Sequence, residues 1–271
     1  LATVLGRASS FFLVGAVIWR RERMYTRCLG TVREILRSWG EILFVGIPAA
    51  AANILLPISM GVITRLVSEF GTNAVAGFGA ATRVESFALV FTLALSMILT
   101  PFVGRNHGAG KEARVAQGHR VSALFSLTWG VMVLVVFLAA AGPVASAFNE
   151  NPEVVQVTRQ YLRIVALSYG FLGMVNLTAA AFNGLKMPFS AAAVAAIRLF
   201  ALLIPLAYVG RELFALPGLF WGVAIGNVLA GAIGFAWFQL SRRRNTGGRE
   251  KASEQVRADD AYRREPVQIA E

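Results

Sequence analysis

An all-α polytopic membrane protein, six complete transmembrane helices behind the tail end of another, is the fold this sequence predicts, and three observations predict it. Of 271 residues 56% are hydrophobic and mean hydropathy is +0.60, whereas an ordinary soluble domain is about 45–50% apolar. The charged residues, 15% of the total, gather between long apolar runs rather than along them. Those runs reach the roughly 20 residues that a bilayer crossing needs, and continuous apolar stretches of that length satisfy their backbone as helices rather than strands.

The first run is the shortest. Interrupted by Arg7, it continues only from Ala8 to Trp19 before the basic block Arg20-Arg21-Glu22-Arg23. A secretory leader carries its basic residues ahead of the apolar core, not behind it. The chain opens on Leu1 rather than methionine, so residues 1–19 are expected to be the end of a truncated span and the chain a fragment. Residues 20–40 are expected to be a cytoplasmic linker. Its Leu29, Val32, Ile35, Leu36 and Trp39 stand among basic residues, as in a short helix lying on a membrane surface.

Six longer runs follow, at 41–66, 74–104, 121–147, 161–183, 189–210 and 217–240, and they form a membrane lobe over 41–240. Turn-rich or charged separators divide them: Glu69-Phe70-Gly71, Gly108-Ala109-Gly110-Lys111, Asn149-Glu150-Asn151-Pro152, Asn183-Gly184 with Met187-Pro188, and Leu216-Pro217-Gly218. From Ser241 onward the chain is rich in charge and poor in large apolar residues, so 241–271 is expected to be a disordered tail.

Basic residues set the expected sidedness. Loops 20–40, 105–120, 184–188 and 242–251 together hold sixteen Lys or Arg, and the opposite loops hold four, Arg65, Arg159, Arg163 and Arg211. This asymmetry places the first set, and the C-terminus, in the cytoplasm of a cell (plasma or inner) membrane. The same distribution explains a net charge of +11 without nucleic acid, for which no binding motif is present. Cys28 is the lone cysteine and supports neither a disulfide nor a zinc site. His107 and His119 have no clustered acids to complete a metal site. No carboxylate pair, nucleophile arrangement or phosphate-binding glycine loop is placed for catalysis, so the chain is not expected to be an enzyme or to hold a cofactor.

Gly46-Ile47-Pro48-Ala49-Ala50, then Ala80-Ala81-Thr82-Arg83-Val84-Glu85-Ser86, Pro101-Phe102-Val103-Gly104, Asn106-His107-Gly108-Ala109-Gly110 and Asn183-Gly184-Leu185-Lys186-Met187-Pro188 occur in this order. Together they resemble the C-terminal half of a multidrug and toxic compound extrusion (MATE) transporter over about 41–240. The resemblance implies a six-helix lobe that faces a second lobe of the same polypeptide, absent here, across a central cavity. It implies export of amphipathic or cationic small molecules in exchange for H+ or Na+ by alternating access, with the lipid bilayer as surroundings. Two departures stand out. Arg105 replaces the glutamine usual in the turn Gly104, Arg105, Asn106, Gly108, Ala109, Gly110. The acids that some branches carry in the 41–66 and 161–183 helices are replaced by polar Asn53 and Asn176, which favours a proton-coupled branch whose titrating acid lies on the other lobe.

Candidate pathway residues are Glu85, Arg83, Arg198, Asn53 and Asn176, because charges inside a membrane helix cost roughly 2.5–3.5 kcal/mol and so line interiors or ion paths. Arg83 and Glu85, two positions apart, point to nearly opposite sides of one helix. By a rise of about 1.5 Å per residue, Glu85 sits roughly 28 Å above Gly104 and Arg65 roughly 36 Å above Glu41, so an Arg65–Glu85 pair near the outer end is expected. The alternatives are a static hairpin clamp and a titrating or cation-binding Glu85. Arg198, roughly 14 Å from its own cytoplasmic end, is expected to face the interior and donate to Asn176, with Glu85 out of reach. Asn53 and Asn227 read as interhelical hydrogen bonds and Pro48, Pro57 and Pro205 as bends. Gly222, Gly226, Ala230 and Gly234 read as a close-packing stripe. Two rivals remain open: a flippase for lipid-linked precursors, which a cationic cavity with Arg83 and Arg198 would suit, and a non-transporting scaffold subunit.

Overall fold

A computed structural model describes the backbone at residues 2–17 and 31–264; side chains at 2–5, 17, 45, 48–49, 51–53 and 56 and beyond Arg242 lie outside that description. The Arg20–Arg23 block, Leu29 and the side chains of Pro48 and Asn53 are therefore outside it. All regular structure among the described residues is helical. The chain divides into two compact units, Leu1–Gly46 and Ile47–Glu271.

The first unit holds α1 (Ala2–Val17) and the start of α2 (Val32–Ser68). The N–H of Thr31 donates to the Glu34 carboxylate at 2.9 Å, half of a capping box that starts α2. An Arg37–Glu41 pair at 3.3 Å then bridges one helical turn. Residues 32–40 are the first turns of α2 rather than a separate helix.

Four helical stretches among the described residues are long and apolar enough to cross a membrane: Thr72–Gly108, Glu112–Ser146, Pro152–Gly184 and Pro188–Arg242. They correspond to α3 (Thr72–Gly108), α4 (Glu112–Ser146), α5 (Pro152–Val165) with α6 (Tyr169–Gly184), and α7 (Pro188–Ala196) with α8 (Ile204–Arg264). The last stretch turns back on itself at Phe214 and Ala215, whose backbone leaves the helical region. Gly210 meets Gly218, Gly222 meets Leu206 and Gly226 meets Leu203, the falling–rising register of an antiparallel hairpin. It therefore supplies two passes, matching the expected 189–210 and 217–240. The helix backbone continues to Arg264, where charge and polarity led to an expectation of disorder; Arg, Glu, Gln, Lys and Ala are good helix formers in that segment.

Two turns show why the loop signatures read so clearly. At the end of α3, Gly110 N–H bonds to His107 O at 3.0 Å and Lys111 N–H to Asn106 O at 2.9 Å, with Gly110 at φ +71°. That is a Schellman cap, which needs a left-handed residue at this one place. At the end of α6 the same pair of bonds forms, Lys186 N–H to Asn183 O at 3.0 Å and Met187 N–H to Phe182 O at 2.9 Å, but the left-handed residue is Lys186 at φ 59°. Gly184 in that turn serves packing instead: a Cβ there would lie 2.7 Å from Thr100 O and 2.8 Å from Val103 Cβ.

The α5–α6 pair is central, with α6 touching α3, α4, α7 and α8 and α5 touching α3, α4 and α8. Two apolar cores result. One gathers Val67, Phe78, Val84, Leu162, Leu203 and Phe220; the other gathers Leu99, Val103, Val175, Phe182, Val194 and Phe238. Since lipid is as apolar as leucine, close backbone approach at small residues holds such helices together, as where Gly130 of α4 meets Gly170 of α6.

Candidate functional site

Between the two cores lies a belt of polar side chains. On α3, Glu85 and Thr92 fall between Val84 of one core and Leu99 of the other; on the last helix, Asn227 falls between Val223 and Ala230. Arg198 lies between Val194 and Leu199 in the same way.

Two departures from α geometry place these groups. A 3-10 turn at Ala166–Ser168 joins α5 to α6, and a π segment at Ile197–Leu203 joins α7 to α8. The π segment ends just before Pro205, which has no N–H to bond Ala201 O and whose ring crowds that carbonyl, so the preceding turn widens. Arg198 sits in the widened turn and Ser168 in the tightened one.

Glu85 is buried, with 8% of its surface exposed, and accepts the phenolic hydrogen of Tyr161 from α5. Phe78 and Phe220 meet the Tyr161 ring edge-on at centroid distances of 5.5 and 5.1 Å and fix its direction. Arg198 donates through Nε to Asn227 Oδ1 at 3.0 Å; Asn227 Nδ2 donates to Ser168 Oγ at 3.2 Å, and Ser168 Oγ donates to Val165 O at 2.8 Å. Arg198 lies within electrostatic reach of Glu85, and no ion pair joins the two among the described residues. The Tyr169 hydroxyl, within the electrostatic reach of Glu85, is fully buried and has no hydrogen-bond partner among the described residues. An acid, a base, two phenols and an amide thus gather from α3, the π segment, α5, α6 and α8.

Several expectations change here. Arg65 is exposed and makes no ion pair with Glu85, whose partner is Tyr161. Arg198 donates to Asn227, not Asn176, and lies within electrostatic reach of Glu85 after all. Asn176 is half-buried and makes no side-chain hydrogen bond among the described residues. The depth argument failed because α3 has 37 residues, roughly 55 Å, so Gly104 does not mark a membrane boundary. Counted from the opposite ends, Glu85 lies roughly 20 Å below Thr72 and Asn227 roughly 18 Å below Ala215, which agrees with their meeting. Tyr161, Tyr169 and Ser168 carried no sequence signal beyond lying in an aromatic, helical run.

Arg83 and Glu85 do point apart: Arg83 is exposed on a groove of about 360 Å³ lined by Met60, Thr64, Val75, Phe78, Thr82 and Ser86. In the glycine turn Asn106 is buried and donates to Phe102 O at 2.8 Å, whereas Arg105 is exposed. His107 Nδ1 and Glu112 Oε1 lie 2.5 Å apart across that turn, and His119 is packed between Phe235 and Phe238 with Thr178 Oγ1 at 3.2 Å. Among the described residues no group of three or more His, Cys, Asp or Glu could hold a metal ion.

The profile of the MatE family matches residues 48–209. A FAD transporter of Shewanella oneidensis is 31% identical over 243 residues, covering 90% of this chain and 53% of that protein. A probable multidrug resistance protein NorM of Thermotoga maritima is 27% identical over 220 residues, covering 80% of this chain and 46% of that one. The crystal structure of the Vibrio cholerae MATE transporter VcmN in its bent form superimposes with a TM-score of 0.82 at 30% identity, covering 90% of this chain and 55% of that one. The chain thus spans about half the length of the relatives it matches.

Proposed function

We propose, from the premise that this chain belongs to the MatE family of membrane transporters, that it is one lobe of a secondary active exporter working by alternating access. The lobe would face a second, comparable lobe across a central cavity and exchange its substrate for H+ or Na+, in a plasma or inner membrane with the C-terminus cytoplasmic. The observation that carries this reading is the buried Glu85 carboxylate, held by Tyr161 in a belt that also holds Arg198 and Asn227 between two apolar cores.

A charge so placed is costly, and charged groups inside membrane helices mark cavities and ion or proton paths. A proton or cation reaching Glu85 would weaken its attraction for Arg198, leaving Arg198 to Asn227 alone. The two helical irregularities at Ala166–Ser168 and Ile197–Leu203 are where the lobe would bend in response. The substrate would be an amphipathic organic molecule. Relatives with the printed names FAD transporter and multidrug resistance protein support that breadth, and the first supports anionic substrates as well as cationic ones.

The flippase alternative keeps one of its two arginines, since Arg83 faces a groove while Arg198 is engaged inside the lobe. A scaffold would have its mid-span polar groups satisfied by packing and would show no gradient-driven uptake.

Everted vesicles carrying the chain together with a complementary N-terminal lobe test the proposal. Under an imposed pH or sodium gradient they should accumulate flavin or dye substrate, and Glu85→Gln should abolish the gradient-driven part. Equal uptake by Glu85→Gln and the unaltered chain would remove Glu85 from coupling.

A further inference from the structure

Arg83 stands 11 residues from Thr72, roughly 16 Å along α3, within a stretch long and apolar enough to cross a membrane. It is exposed and no acid lines its groove. Of the acids at this end of the lobe, Glu69 and Glu212 pair with Arg211, Glu153 accepts from Asn73 at 2.5 Å, Glu85 accepts from Tyr161, and Glu150 lies exposed in the loop ahead of α5. An arginine inside a spanning helix with no acid lining its groove is costly in lipid and so belongs to an interior or a water-filled cavity. On the transport reading its groove faces the cavity between the lobes.

The lining of the groove has two characters. Met60, Val75 and Phe78 form an apolar wall, and Thr64, Thr82 and Ser86 add hydroxyls beside the guanidinium. Each hydroxyl already donates to its own helix, Thr64 to Met60 O, Thr82 to Gly79 O and Ser86 to Thr82 O, so the guanidinium is the one group there with free donors. A volume of about 360 Å³ suits a ring system with one charged substituent.

We propose that the Arg83 groove is a substrate subsite that takes the anionic group of an amphipathic organic anion, the ring of that anion lying on Met60, Val75 and Phe78. The site rests on the transport reading only for its cavity-facing direction. It selects an acid over a neutral or cationic ligand of the same shape, because planar guanidinium binds sulfonate, phosphate or carboxylate through charge-assisted hydrogen bonds.

Equilibrium dialysis of the detergent-solubilised chain, alone and paired with a complementary N-terminal lobe, against protein-free detergent, tests the subsite with a matched pair of probes, naphthalene-2-sulfonate and 2-naphthylmethanol. The sulfonate should bind more tightly than the alcohol. Arg83→Gln should weaken sulfonate by about tenfold or more and leave the alcohol within about twofold, while Arg83→Lys keeps part of the preference. Arg83 is exposed, so both variants should elute as the unaltered protein does on gel filtration. Equal binding of the two probes, or sulfonate affinity unchanged in Arg83→Gln, overturns the subsite. So does loss of sulfonate binding when a second lobe is added, which would mean that a carboxylate there is the counter-ion. Vesicles that fail to transport while sulfonate binding still depends on Arg83 would count against the exporter reading and leave the subsite standing.

Discussion

Tyr161 on α5 donates its phenolic hydrogen to the buried carboxylate of Glu85 on α3, so the charge of one helix is tied to the helix at the centre of the lobe. Hydrogen bonds to charged groups contribute about 1.5–3 kcal/mol, and a buried acceptor left alone loses that and its solvation. Tyr161→Phe should therefore lower stability by about that amount, whereas Glu85→Gln keeps an acceptor and should cost less. Thermal unfolding of the detergent-solubilised protein measures both. A double-mutant cycle of Tyr161→Phe with Glu85→Leu should be strongly non-additive; additive losses would mean that the two side chains act separately.

Arg65→Ala supplies the matching negative expectation. An exposed arginine without an ion pair to Glu85 should change stability by no more than about 0.5 kcal/mol. A loss as large as that of Tyr161→Phe would restore the Arg65–Glu85 clamp that helix depth alone suggested.

Small residues at crossings give a different test. A Cβ on Gly130 would run into the backbone of Gly170, and a Cβ on Gly170 would lie 3.1 Å from Leu127 Cα. Backbone cannot swing aside as a side chain does, so Gly130→Ala should destabilise by about 1–3 kcal/mol. Gly61, a helical glycine of α2 with nothing within 4 Å of its Cβ direction, should tolerate alanine or gain up to about 1 kcal/mol from better helix propensity. Equal effects at the two positions would argue that α4 and α6 do not cross where Gly130 meets Gly170.

The membrane fold was legible because span length, charge placement and capping residues are local properties. Gly110 sits at the one left-handed position of its turn, and the loop signature names it. The polar belt was not legible, because it depends on where tilted helices of unequal length meet. Arg198 was assigned to Asn176 by counting even steps from one end, while a π segment carries it and α3 overshoots the count. Tyr161 was hidden for another reason: as the first residue of the expected 161–183 span it carries no mark that singles it out as the partner of a buried acid. The side of α3 that Arg83 faces was legible from its two-residue offset from Glu85, but the commitment of the neighbouring acids required the folded lobe.

Two strained caps close the set. Ala215 holds φ at 53° and ψ at −140° in the hairpin turn ahead of Pro217, and Lys186 holds φ at 59° in the Schellman cap ahead of Pro188. A Cβ in left-handed backbone costs roughly 1–2 kcal/mol, and glycine removes that cost while adding chain entropy to the unfolded state. Lys186→Gly should thus be neutral to stabilising by about 1 kcal/mol, and Ala215→Gly more clearly stabilising, since φ and ψ together at that site lie in a region that is nearly glycine-only. The opposite change, Gly110→Ala, should cost about 1 kcal/mol, because nothing crowds its Cβ direction and only the positive φ is at stake. Thermal midpoints of the three variants in one detergent check the ordering Ala215→Gly above Lys186→Gly above Gly110→Ala; a Gly110→Ala protein as stable as the unaltered chain would mean that the turn after α3 is not held in the left-handed cap.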